Sequence, residues 1–105
     1  MADNTVTYVW SDAWLLLATL YASREGGATL EQVTAAGDYI NHAIFTADEL
    51  EGGLGRLAAG GFIREKQGLY SITGKVLKAH RKTTTPRRPV YRELEDMERW
   101  LKIRG

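Results

Sequence analysis

Apolar residues recur at helical spacing along most of the chain, and one pair of short strand-like runs interrupts them. From Ala47, the positions Leu50, Leu54, Leu57 and Ala58 form one stripe of a 3.6-residue period. Thr46 and Glu49, three residues apart, make a capping box, so a helix is expected to start there. Gly60 and Gly61 stop it, because either glycine can take the left-handed turn that closes a helix. Phe62 to Glu65 and Leu69 to Ile72 then read as strands. Lys66-Gln67-Gly68 between them is polar, with glycine where a hairpin needs positive φ.

The same reading extends outward from this centre. Thr5 to Trp10 is β-branched and aromatic, an extended arm or edge strand. Ser11 and Asp12 open a first helix that is apolar almost all round from Ala13 to Ala22 and so must be covered on more than one face. After Gly26-Gly27, Thr29 and Gln32 make a second capping box, which starts a helix at Leu30 with Val33 and Ala36 one turn apart. Gly37 to Phe45 is expected to be a long turn with an extra helical turn in it, and Ile40, Ile44 and Phe45 to lie beneath it. Lys75 to Arg81 forms a fourth helix with Val76 and Leu77 inward.

Residues 83–89 read as a basic linker with two prolines. Pro89 suits the first position of a last helix, Val90 to Lys102, with Glu95–Arg99 and Glu98–Lys102 as i,i+4 pairs. Its apolar stripe needs a partner surface, and the spare face of the first helix is the expected one, in the same chain or a second copy. The division is therefore 1–10 arm, 11–82 central domain, 83–89 linker and 90–105 C-terminal helix.

Composition narrows the class. The chain has 105 residues, 44% of them hydrophobic, enough for one domain with a small core. No cysteine is present, which removes disulfides, thiolate catalysis and the usual zinc frameworks, and a cytoplasmic location is expected. The apolar run Ala13 to Ala22 is far short of the roughly 20 residues that cross a bilayer, and MADNTVT has no signal-peptide pattern, so no membrane association is expected. Net charge is only +1, but its distribution is uneven. Residues 1–80 hold nine acids and six bases, while 81–88 hold Arg81, Lys82, Arg87 and Arg88 and no acid.

From Ser11 to Arg81, about three quarters of the chain, this order of elements resembles the winged helix-turn-helix superfamily. The nearest likeness is to small bacterial transcriptional regulators of the MarR and PadR type. Arg56-Leu57 followed by Gly60-Gly61-Phe62-Ile63 is similar to their junction between recognition helix and wing. The resemblance implies a mainly α fold with a small β-hairpin wing and an additional C-terminal helix. It also implies a DNA-binding regulator whose third helix enters the major groove and whose wing tip, Arg64 to Gly68, reaches the backbone or minor groove.

Double-stranded DNA would then be met by Thr46 and Arg56 of the third helix and by Arg64 and Lys66 of the wing. Lys75, Lys78 and Arg81 of the fourth helix, with Lys82, Arg87 and Arg88 of the linker, would add phosphate contacts. The third helix departs from a duplex reader, however, because Asp48, Glu49 and Glu51 outnumber its one base, Arg56. The alternative is a protein-protein interaction module that uses the acidic, glycine-notched face of Asp48, Glu51, Gly52 and Gly55. Each glycine within that helix costs roughly 0.8–1 kcal/mol relative to alanine, so close packing or close approach is expected in return. Gly53, on the apolar stripe, is read as a packing residue.

A homodimer is expected through Trp14, Tyr21, Tyr91, Leu94, Met97, Trp100 and Leu101, and the aromatics of this set could also line a ligand pocket. Asp38 and His42 fall short of a metal site. No serine sits in a nucleophile elbow and no phosphate-binding glycine loop follows a strand, so neither enzymatic activity nor a cofactor is expected.

Overall fold

The computed structural model describes residues 7–24, 26–83, 85 and 87–104. In chain order these form α1 (Trp10–Ala22), α2 (Leu30–Asn41), α3 (Ala47–Ala59), β1 (Ile63–Lys66), β2 (Leu69–Ile72), α4 (Gly74–Thr83) and α5 (Val90–Arg104). The expectation of a mainly helical chain with one small hairpin is met.

The apolar character of α1 has a direct structural cause. Every residue from Asp12 to Leu20 is buried, because α2, α3, α5 and β2 all pack against this one helix. Its N-cap is Val9 rather than Ser11: the Asp12 carboxylate reaches back and accepts the Val9 N–H at 3.0 Å. Residues 1–6 of the expected arm lie outside the described residues, and 7–9 form no strand. Tyr8 instead lays its ring edge-on to Phe62, with centroids 5.5 Å apart.

The capping boxes at Thr29/Gln32 and Thr46/Glu49 both form, each side chain accepting the other residue's backbone N–H. The stretch between them differs from expectation. α2 runs on through Gly37 to Asn41 and ends on His42 in the left-handed conformation, so the turn to α3 is short and carries no extra helix. Ile40 and Phe45 are buried as expected, but Ile44 is 71% exposed. Phe45 is the residue that seats the turn. Its ring lies 3.8 Å from that of Trp14, whose indole N–H donates to the Gly37 carbonyl at 2.9 Å.

α3 closes through a Schellman arrangement. Gly61, at φ +76°, donates to Ala58 O, and Phe62 donates to Leu57 O, while the side chains of Leu57 and Phe62 are both buried. The chain leaves this closure directly into β1, which pairs antiparallel with β2 from Ile63↔Ile72 to Lys66↔Leu69. The turn is thus two residues, Gln67 and Gly68, at φ +55° and +79°, and Lys66 belongs to the strand. Positive φ at both positions suits the right-handed twist of a tight hairpin. Ala28, between α1 and α2, exchanges both backbone hydrogen bonds with Tyr70 and ties that connection to the hairpin.

Thr73 starts α4, its hydroxyl donating to Gly61 O at 2.7 Å. Val76 is buried, whereas Leu77, expected inward, is on the surface. α5 folds back on α1 within the same chain, burying Leu94, Met97 and Leu101. Of its expected ion pairs, Glu98–Lys102 forms. Arg99 pairs with Asp96 instead of Glu95, one residue closer, and Glu95 pairs with Arg92. No helix among the described residues is long and apolar enough to cross a membrane.

Candidate functional site

α3 turns one side to the core and the other to solvent. Gly53 and Leu57 are buried, Leu50 and Leu54 half-buried, and Asp48, Glu51, Gly55, Ala58 and Ala59 exposed. The helix approaches α1 closely at Gly53, where a Cβ would stand 2.6 Å from Leu15 Cδ2 and 3.1 Å from Asp12 Oδ1. That glycine is a packing requirement, as the stripe implied. Gly55 has nothing within 4 Å of its Cβ position, so its lack of a side chain is not demanded by the fold.

Arg56, the one base on α3, is half-buried and paired with a carboxylate of the interior. Its Nε donates to Asp12 Oδ2 at 2.7 Å and its Nη2 to Asp12 Oδ1 at 2.8 Å, and Asp12 is fully buried. These hydrogen bonds push the guanidinium pKa above its ordinary value against the effect of burial. The expected base-reading role of Arg56 is therefore not what its position provides. A buried carboxylate needs a counter-charge, and Arg56 is the group that supplies it.

Three further candidates for DNA contact are likewise engaged. The Thr46 hydroxyl caps α3 by accepting the Glu49 N–H. Lys75 donates to Gly60 O at 2.8 Å, with its ammonium 4.5 Å from the Phe62 ring centre. Arg88 is held by Asp96, Nη2 to Oδ2 at 2.6 Å, which fixes the linker to α5. Arg64 and Lys66 on β1, Lys78, Arg81 and Lys82 on α4, and Arg87 are exposed and show no ion pair among the described residues.

The protein-contact candidates are more uniform. Asp48, Glu51 and Gly55 are exposed, Gly52 is partly covered by the Arg56 side chain, and Glu49 spends one oxygen on the Thr46 N–H. The outward side of α3 is thus acidic with small residues between the acids.

The dimer candidates are mostly used within one chain. Trp14, Leu94, Met97 and Leu101 are buried, and Trp100 packs edge-on against Phe62 at 5.2 Å. Tyr21 donates to Glu93 Oε2 at 2.7 Å, and Tyr91 is exposed. A homodimer through the same seam would require α5 to exchange between copies. The small cavity beside Trp100, Glu93 and His80 holds only about 30 Å³, room for a water rather than an effector.

Two features were invisible to periodicity. Glu93 joins three helices, since its other oxygen meets His80 Nε2 at 2.7 Å. An open apolar groove of about 390 Å³ lies between α2, the following turn and α3. The available signals were an acid near the start of α5 for the first, and for the second Leu30 at the first position of α2 and Ile44, expected beneath the turn but found exposed.

No protein-family model, curated protein or solved structure matches this chain, so the functional reading rests on its own side chains.

Proposed function

We propose that this chain is a winged-helix protein-docking module, with α3 presenting Asp48, Glu51, Gly52 and Gly55 to a basic partner. The order of α1, the Ala28–Tyr70 bridge, α2, α3 and the hairpin supports the winged-helix reading. The observation that carries the docking reading is the Arg56–Asp12 clamp. It removes the only cation of α3, leaving exposed carboxylates where a duplex reader needs arginine, lysine or amide groups. Phosphates brought against this helix would meet Asp48 and Glu51 well within a Debye length of about 8 Å. A partner with lysine or arginine gains from the same field, and Gly55 lets its backbone come close.

A second reading has its own support. Arg64, Lys66, Lys78, Arg81, Lys82 and Arg87 are exposed cations on the wing, α4 and linker, suited to duplex phosphates without major-groove reading. Six phosphate contacts would give a salt slope of about −5 in log affinity against log salt.

The experiment that separates the two is a labelled-duplex titration between about 50 and 200 mM salt, run beside capture of cellular partners by wild type and by Asp48→Lys/Glu51→Lys. Docking predicts weak or absent duplex binding and partners lost in the charge-reversed protein. Tight, steeply salt-dependent duplex binding that falls with Arg64→Ala and Lys66→Ala, together with unchanged partners, would replace it with the second reading.

A further inference from the structure

The groove between α2 and α3 has an apolar floor and an acidic edge. Leu30 and Ala35 of α2, Ile44 of the turn and Leu50 of α3 supply the apolar surface, and Glu31 and Asp38 supply charge, with no basic residue among its lining. Ile44, at 71% exposure, and Leu30 extend an apolar patch into solvent beside it. An exposed aliphatic residue at a fixed turn, next to a concave surface, is the arrangement expected of a contact site rather than of scattered surface hydrophobics. The turn that carries Ile44 is held by Phe45 against Trp14, so the groove is preformed.

We propose that this groove binds an amphipathic basic helix of a partner protein. The partner places leucine- or isoleucine-sized side chains against Leu30, Ile44 and Leu50, and lysine or arginine opposite Glu31 and Asp38. Charge selects this occupant. Glu31 and Asp38 stand seven residues apart on one side of α2, two helical turns, which matches basic residues spaced two turns apart on a helix laid along it. Nucleic acid and anionic lipid surfaces carry the same sign as the edge and are repelled by it. The inference rests on the docking reading above and names the partner's chemistry. α3 contributes Leu50 to the groove and the exposed Glu51 beside it, so the partner's basic face can continue onto the acidic side of α3.

The test uses synthetic peptides and the full chain. One peptide has leucines at i, i+3, i+4 and i+7 with lysines flanking the stripe. A second replaces the lysines with glutamate, and a third scrambles the first. Amide shifts in two-dimensional NMR locate binding, and anisotropy of the labelled peptide measures it. The lysine peptide is expected to shift amides of α2, residues 42–46 and the first half of α3, and to bind at least tenfold tighter than the other two. Ala35→Phe fills the groove from an exposed position and should abolish binding, while Glu31→Lys/Asp38→Lys should weaken it at least tenfold; both positions are exposed, and unchanged dispersion of the remaining amides verifies the fold. Equal binding of the three peptides, no binding, or shifts located elsewhere would overturn the proposal. Lysine-peptide binding lost with Ala35→Phe but kept in Asp48→Lys/Glu51→Lys supports the groove without the α3 face. Partners lost only in the latter variant, with no peptide in the groove, support the α3 face and overturn the groove.

Discussion

Arg56 grips Asp12 through two hydrogen bonds, 2.7 and 2.8 Å long, that join the last turn of α3 to the first turn of α1. With the Val9 N–H as a third donor, the buried carboxylate is fully engaged. Arg56→Ala is expected to cost about 3 kcal/mol, because it strands a buried charge. Arg56→Lys should recover only part of that, since an ammonium does not reproduce the two-pronged geometry. Adding Asp12→Asn to Arg56→Ala should restore part of the loss. Urea unfolding followed by circular dichroism measures all three, and an Arg56→Ala protein with a wild-type midpoint would mean that the pair is not coupled to folding.

Two glycines near the middle of α3 should respond to alanine with opposite signs. Gly53→Ala gains helix propensity but drives its Cβ into Leu15 and toward the Asp12 carboxylate, with a net loss of about 1–3 kcal/mol. Gly55→Ala enters open space and should gain about 0.8–1 kcal/mol. Thermal melts of the two proteins decide this. A Gly55→Ala protein that is more stable yet binds its partner less well would identify close backbone approach as the reason for glycine there.

The hairpin offers a cleaner local test. Gln67 holds φ +55° without the side-chain compensation that asparagine provides in that region, so Gln67→Asn should stabilise the protein by up to about 1 kcal/mol. The cross-strand register Glu65↔Tyr70 should be unchanged in NMR contacts across the turn. Loss of stability in Gln67→Asn would mean that another contact of the glutamine outweighs the backbone.

Local chemistry made the element order legible. Thr29/Gln32 and Thr46/Glu49 are short-range caps, and Gly61 marks a left-handed closure, so each acts within a few residues and is visible without tertiary information. The end of α2 was not legible, because what keeps Gly37 to Asn41 helical is Trp14, Phe45 and Ile40 meeting across the core. The site was less legible still. Arg56 reads as a surface cation by period, and its half-buried pairing depends on Asp12, 44 residues earlier in the chain. The same limit applies to Arg88 with Asp96 and to Glu93 with His80 and Tyr21.

Tyr21 and Glu93 make the last of these long-range bonds a pH-dependent one. Burial, the hydrogen bond to Glu93 and its negative charge together push the Tyr21 phenol well above its usual pKa, with Arg24 opposing them. The folded phenol therefore keeps its proton at pH values where the unfolded one has lost it. The resulting stabilisation is complete below the unfolded value of about 10 and declines as pH rises through the folded value. Tyr21→Phe lacks the bond at every pH, while His80 still holds the other Glu93 oxygen. The wild type should thus exceed Tyr21→Phe in unfolding free energy by about 1.5 kcal/mol from neutral pH to about pH 10, with the gap narrowing above that as the unfolded phenol ionises while the folded one keeps its proton. It should stop narrowing only above the folded pKa. Other titrating groups, including Tyr8, whose pKa burial also raises, are common to both proteins and drop out of the difference. Urea unfolding at intervals from pH 7 to pH 11.5 reads the gap directly. A gap that stays constant through pH 11.5 would show that the folded phenol ionises as readily as the unfolded one, and that Glu93 does not hold its proton.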